Sequence, residues 1–118
     1  VVDCGTYSTD SCDYPIFARA AAEQVASGQC ERGIVLCTTG IGVSMVANKV
    51  KGVRCALCRD LLSAQLTRQH NNANMLALAG GFTGNFEAEH IVDAFLTTEF
   101  EGGRHQRRVG LVMDIEQG

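Results

Sequence analysis

Three short apolar runs, Gly33–Cys37, Val53–Cys58 (broken only by Arg54) and Met75–Ala79, constrain the fold of this chain more than any other feature. A strand wet on one face alternates apolar and polar residues. A short continuous run instead describes a strand covered on both faces, the pattern of a parallel sheet between helical layers. The segments between the runs have helical character. Asp13 stands as a possible cap just upstream of Pro15, Phe17, Ala20, Ala21 and Val25 follow a near 3.6-residue period, and Gly28 stops them. Val43 to Val50 reads as a second helix. Asp60 is placed to cap a third, from Leu61 to about His70. Asn85 can cap a fourth, in which Ala88, Ile91, Val92 and Phe95 share a face, and an Arg-rich amphipathic helix follows Gly102-Gly103. Strand and helix alternate with short connections, so the expected class is α/β, a three-layer sandwich around a parallel sheet with right-handed crossovers. Ligands of such sheets bind at the carboxyl ends of the strands, which directs attention to the loops after Cys37, Cys58 and Ala79.

At 118 residues and 12.6 kDa the chain is expected to form one domain, residues 1–118, with no internal repeat or linker. Ten Lys and Arg against 13 Asp and Glu give a net charge of −3, which offers no general attraction for nucleic acid or anionic lipid. No apolar run approaches the ~20 residues of a membrane helix, and the expected location is the cytoplasm. Six cysteines invite a disulfide framework, but Cys37, Cys55 and Cys58 sit inside apolar runs, where reduced thiols behave as small hydrophobes. The chain opens on Val1-Val2-Asp3, inside an apolar run, as though an upstream element were missing.

Three constellations can carry chemistry. Cys37 ends a strand, and Thr38-Thr39-Gly40-Ile41-Gly42 turns the chain into a helix. Such a turn gathers amide N–H groups at a helix N-terminus, favours an anion, and lowers the pKa of a thiol placed beside it. The turn is neither a Walker loop nor a dinucleotide fingerprint, since no Gly-Lys-Ser/Thr ends it and Met45 stands where a third glycine would fall. A buried cysteine at a tight turn is the plain alternative. His70 and Asn71, at a helix end, fit either a general acid with an oriented amide or a favourable partner of the helix dipole. Arg104 and Arg108, four apart on one helical face, fit either a phosphate clamp or a solvated basic face. Cys55 and Cys58 match a C-x-x-C spacing but face opposite sides of a strand, so they read as packing and no metal set is assigned. His90 reads as structural.

In this order, Cys37-Thr-Thr-Gly-Ile-Gly42, Ala47-Asn-Lys49, Ser63-Ala-Gln-Leu-Thr-Arg-Gln-His-Asn71 and Glu101-Gly-Gly-Arg-His-Gln-Arg-Arg108 resemble ribose-5-phosphate isomerase B and the related galactose-6-phosphate isomerase subunits. Asp3-Cys-Gly-Thr6 and Asp13-Tyr-Pro15 look like early segments of the same family, so the resemblance spans essentially the whole chain. It implies a Rossmann-like sandwich and a metal- and cofactor-free aldose–ketose isomerisation of a sugar phosphate through a cis-enediolate. It implies Cys37 as the base that moves a proton between C1 and C2. Thr39 and the amides of Gly40, Ile41 and Gly42 would stabilise the enediolate, and Thr38 would stand at the mouth of that loop. His70 would open the sugar ring, Asn71 would bind the sugar, and Arg104 and Arg108 would hold the phosphate. Asp13 and Tyr14 would line the pocket. The implied assembly is a homodimer or tetramer, with the site shared between chains.

The chain differs from the family pattern in three ways. It starts after the family's first strand and helix, which carry an Asp-His pair, and is short by one βα unit of roughly 30 residues. Thr38 stands where the family usually has glycine, and Gly81 where ribose-phosphate members often have arginine. The last difference brings a six-carbon sugar phosphate into range. The first and second leave a non-catalytic sugar-phosphate-binding subunit of the same fold as the alternative.

Overall fold

The computed structural model describes residues 1–5 and 13–117. Thr6, in one of the motifs above, lies outside the described residues, as does Cys12. The elements are α1 (Tyr14–Ala26), β1 (Gly33–Cys37), α2 (Ile41–Asn48), β2 (Cys55–Leu57), α3 (Leu61–Asn71), β3 (Met75–Ala79), α4 (Asn85–Thr97) and α5 (Arg104–Asp114), with a short 3-10 turn at Ile115–Gln117. The three strands are parallel in the order β1-β3-β2. β3 is central and all five of its residues are buried, as a continuous apolar run requires.

Period-two alternation along β3 sends its side chains into two cores. Met75 and Ala77 join Val35, Ala18, Ala22, Val25, Val43, Ala47 and Val53 beneath α1 and α2. Leu76 and Leu78 join Cys58, Ala64, Ala73, Ile91, Ala94 and Phe95 beneath α3 and α4. The architecture is the expected α/β/α sandwich, Rossmann-like but with a small sheet. Both C-x-x-C thiols pack as expected, Cys55 against the first core and Cys58 within the second. The five described cysteines are all free.

Some local expectations shift. β1 was expected to be covered on both faces, yet Ile34 and Leu36 are exposed. β1 is an edge strand, and the core beneath α3 and α4 does not extend to these two residues. α2 starts at Ile41 and ends at Asn48, two residues ahead of the expected span. Asp60 caps α3 as expected, its carboxylate accepting from the Ser63 amide at 2.7 Å. Asp13 and Asn85 do not cap through their side chains. Asp13 occupies the N-cap position of α1 without a side-chain bond, and Asn85 lies inside α4 behind Gly84. The α1 stripe is also rotated: Ala18, Ala22 and Val25 are its buried residues, with Phe17, Ala20 and Ala21 at the margin.

Arg68, in the last turn of α3, is 4% exposed and cements the second core to the helix ends around it. Its guanidinium donates to the Ala73 carbonyl at 2.7 Å, the Asn72 Oδ1 at 2.9 Å and the Thr98 carbonyl at 3.1 Å. Arg32 donates to the Phe95 and Leu96 carbonyls at the end of α4, each at 2.7 Å. Cations at helix C-termini complement the dipole and satisfy carbonyls that the helix leaves open.

Candidate functional site

The first group of site residues gathers where β1 turns into α2. Cys37 is the last residue of β1, and Gly40 sits at the N-cap of α2 with φ 75°. A Cβ at Gly40 would lie 2.5 Å from the Leu57 Cδ1 and 2.9 Å from the Leu78 carbonyl, so both its backbone conformation and its surroundings demand glycine. This tight turn brings the Gly40 amide onto the Cys37 Sγ at 3.2 Å. Burial pushes the Cys37 thiol up, but the backbone N–H groups of Val43, Gly40 and Thr39 and the Thr39 hydroxyl outweigh it and leave the pKa below the ordinary 9.0. The buried thiols go the other way: burial, with Cys58 nearby, pushes Cys55 up to about 12, and Cys58 rises as well. Cys37 is thus set apart from the packing cysteines by the charge that its surroundings favour.

Thr38 and Thr39 are exposed beside it, and the Thr39 Oγ1 accepts from the Ile41 amide at 3.2 Å. The Gly40 and Ile41 amides are therefore engaged within the turn, which narrows the expected row of anion-binding amides toward Gly42. The Tyr14 ring lies over Gly42, within 2.5–2.7 Å of where a Cβ would stand, and brings the start of α1 to the same mouth. Exposed Asp13 immediately precedes it. Gly81 closes the other side. Its amide donates to the Thr38 carbonyl at 3.0 Å, and a Cβ there would meet the Thr38 Cγ2 at 2.7 Å. The two departures from the family pattern are therefore in contact, with the methyl of Thr38 filling the space that a side chain at Gly81 would need.

The second group lies at the other end of the sheet. α3 leaves the carboxyl end of β2 and runs back for 11 residues, about 16 Å, so His70 and Asn71 stand beside the residues that precede the strands. The carboxyl ends of the strands carry Cys37 but not these residues. Here a cavity of about 720 Å³ is lined by Arg54, Thr67, His70, Asn71, His105 and Arg108, among others, and by no residue of the Cys37 turn. The Asn71 Oδ1 accepts from the Thr67 hydroxyl at 3.2 Å. Arg104 and Arg108 share α5 as expected; both are exposed, and among the described residues neither takes part in an ion pair. Only Arg108 of the two faces the cavity.

Reasoning from sequence assigned no role to His105 or Glu101. The His70 and His105 rings stack at 4.3 Å, and the Glu101 carboxylate stands near both Nε2 atoms. Their i, i+4 spacing across the start of α5 was the available signal. Desolvation, then His70 and Arg104, hold the His105 pKa below its ordinary value. His90 lies on α4 against Phe86, with ring centroids at 4.4 Å, apart from both groups.

The chain thus combines an α/β sandwich, a cysteine turn that favours the thiolate and a separate cavity lined by histidine and arginine. Comparison with known proteins specifies the class. The family model described as Ribose/Galactose Isomerase matches residues 1–112. Ribose-5-phosphate isomerase B of Escherichia coli is 47% identical over 117 residues, covering 99% of this chain and 78% of that protein. The solved ribose-5-phosphate isomerase B of Clostridium thermocellum superposes with a TM-score of 0.94 at 50% identity, covering 96% of this chain and 76% of that one. The enzyme of Mycoplasma genitalium, solved with bound ribulose-5-phosphate, superposes at 0.92 with 46% identity, over 96% of this chain and 76% of its own. The chain belongs to the ribose/galactose isomerase family, and its chemistry is aldose–ketose isomerisation. Among the described residues no helix is long and apolar enough to cross a membrane.

Proposed function

We propose that this chain interconverts an aldose phosphate and its ketose, of the ribose 5-phosphate/ribulose 5-phosphate type, with Cys37 as the base. The carrying observation is the Cys37 thiol at the end of β1 with the Gly40 amide on its Sγ at 3.2 Å, a setting that favours the thiolate. A thiolate there takes the proton from C2 of the aldose and returns it to C1. In the cis-enediolate between, negative charge develops on oxygen. The Thr39 hydroxyl and the first-turn amide of Gly42 stabilise that charge, a role worth about 2.7–4 kcal/mol per donor in enzymes of this kind. Tyr14 and Asp13 wall the pocket, and Thr38 borders it. His70 exchanges the proton that opens the sugar ring, Asn71 binds a sugar hydroxyl, and Arg104 and Arg108 hold the phosphate dianion through charge-assisted bonds.

A single chain does not bring these groups onto one molecule. Carbon chain and phosphate together span less than the ~16 Å of α3 that separates the two groups of residues. The site is therefore completed between chains, the Cys37 turn of one meeting His70 and the arginines of another in a homodimer or a pair of them. α5 supports this assembly, because it is amphipathic yet has no buried residue, with Leu111 and Val112 exposed and Ile115 exposed just beyond it.

The test is complementation. Cys37→Ala and His70→Ala each abolish turnover of ribose 5-phosphate alone; mixed and allowed to exchange partners, they regain about a quarter of wild-type activity, the share of sites that inherit both intact halves in a two-fold dimer. Near-normal turnover by Cys37→Ala would remove the base assignment. Failure to complement, with exchange verified, would remove the shared site. The second reading, a sugar-phosphate-binding subunit without turnover, predicts binding of ribose 5-phosphate and no activity in wild type. The contact of Thr38 with Gly81 favours testing a six-carbon sugar phosphate in parallel.

A further inference from the structure

We propose that His70, Glu101 and His105 form a binding site for a divalent transition-metal ion of the zinc class. The three come from separate places: the end of α3, the loop before α5, and the first turn of α5. Backbone contacts hold them together. The Glu101 amide donates to the Gln69 carbonyl at 3.1 Å, and the His105 amide to the Gly102 carbonyl at 3.1 Å. The two imidazoles stack almost parallel, with 11° between their planes, and both Nε2 atoms lie near the same Glu101 carboxylate oxygen. Glu101 Oε1 is 3.9 Å from His70 Nε2 and 3.7 Å from His105 Nε2, and ligand atoms of the three residues lie within 4.8 Å of one another.

Those separations are too long for hydrogen bonds and slightly too long for a metal shell. Tetrahedral zinc, bound to nitrogen and oxygen at about 2.0–2.2 Å, places its ligands about 3.3 Å apart. Binding requires the two imidazoles to turn out of their stack so that their in-plane lone pairs converge with the carboxylate on one ion. Two neutral imidazoles and one carboxylate match the preference of zinc, cobalt or nickel, and exclude a site built for calcium or magnesium. Solvent access beside exposed Glu101 leaves a fourth position for water. The charges around the cluster act in both directions. Arg104 and Arg108 oppose a cation and Glu101 attracts one.

This site does not depend on the isomerase reading, but it bears on it. A metal held by His70 removes the imidazole assigned to ring opening, so the ion would act as a reversible inhibitor rather than a cofactor. The decisive measurement is calorimetric titration of the untagged, reduced chain with zinc chloride, with cobalt chloride as the spectroscopic probe. The expected result is one zinc ion per chain and a cobalt spectrum without sulfur-to-cobalt charge transfer. Glu101→Gln and His105→Ala, both checked for native circular dichroism, should each weaken zinc binding by about tenfold or more. Both histidine side-chain NMR signals should shift together on binding. Unchanged affinity in both variants, absence of binding to wild type, or a sulfur-to-cobalt band assigning the metal to cysteines would each overturn the proposal. Because the readout is binding, an inactive protein that still takes up zinc as described refutes the isomerase reading alone.

Discussion

Replacing Gly40 by alanine tests the link between the β1–α2 turn and the thiol most directly. Two costs follow from the geometry. Gly40 has φ 75°, a left-handed conformation that costs a residue with a Cβ about 1–2 kcal/mol. The new Cβ would also lie 2.5 Å from the Leu57 Cδ1 and 2.9 Å from the backbone carbonyl of Leu78. The Leu57 methyl can rotate away, but β3 is the central strand and cannot. Overpacking of this kind adds about 1–3 kcal/mol, so the variant should lose roughly 2–5 kcal/mol in urea unfolding. A chain that relieves the clash by shifting the turn also moves the Gly40 amide off the Cys37 Sγ. Its thiol should then alkylate with a pH midpoint closer to that of an ordinary cysteine. A Gly40→Ala variant within 0.5 kcal/mol of wild type, with the alkylation profile unchanged, would refute both the strain and the dependence of the thiol on the turn.

Iodoacetamide labelling of the wild type, resolved by peptide mapping, should place the Cys37 midpoint below 9.0 and that of Cys55 far above it, in keeping with the opposite directions of their shifts. Because the folded pKa of Cys37 is depressed, its contribution to stability is fully present above the unfolded thiol pKa and is lost as pH falls through the folded value; Cys37→Ala should flatten urea stability across that window. Arg68→Met should cost about 2–4 kcal/mol in denaturation, since the Ala73 and Thr98 carbonyls lose a charged donor in a buried setting. Phe95→Ala should cost about 3–5 kcal/mol, because the ring is fully buried between α4 and the sheet. Arg104→Ala and Arg108→Ala should raise KM for ribose 5-phosphate with circular dichroism unchanged; an unaltered KM in both would reassign the phosphate site.

What was legible in the sequence followed from local physics. The three apolar runs became three parallel strands, and the one at the centre, Met75–Ala79, is buried on both faces. Asp60 became a cap because its carboxylate reaches the Ser63 amide from that position and no other. The Cys37 turn was readable for the same reason, since a thiol, two threonines and two glycines are contiguous there. The exposed face of β1 was not. Ile34 and Leu36 have the pattern of covered residues, and only the placement of the neighbouring layer decides whether anything covers them. Asp13 and Asn85 carry capping side chains at or beside the cap positions, yet Asp13 makes no side-chain bond to α1, and Gly84 takes the cap that Asn85 was expected to supply.

The rule that ligands bind at strand carboxyl ends located Cys37 and missed His70, and the failure has a structural cause. α3 starts at the carboxyl end of β2, so whatever its last turn carries is delivered to the opposite side of the sheet. The 11 residues of α3 set that displacement. The two-residue Gly102-Gly103 turn, with both glycines at positive φ, then folds α5 back against the same end, so the arginines follow His70 rather than Cys37. Chain order alone places Cys37, His70 and Arg104 in three separate motifs and says nothing of which two meet. The fold answers that within one chain: histidine meets arginine, and the thiol stands apart. On the proposed mechanism, chemistry that needs all three on one sugar phosphate calls for a second copy of the chain.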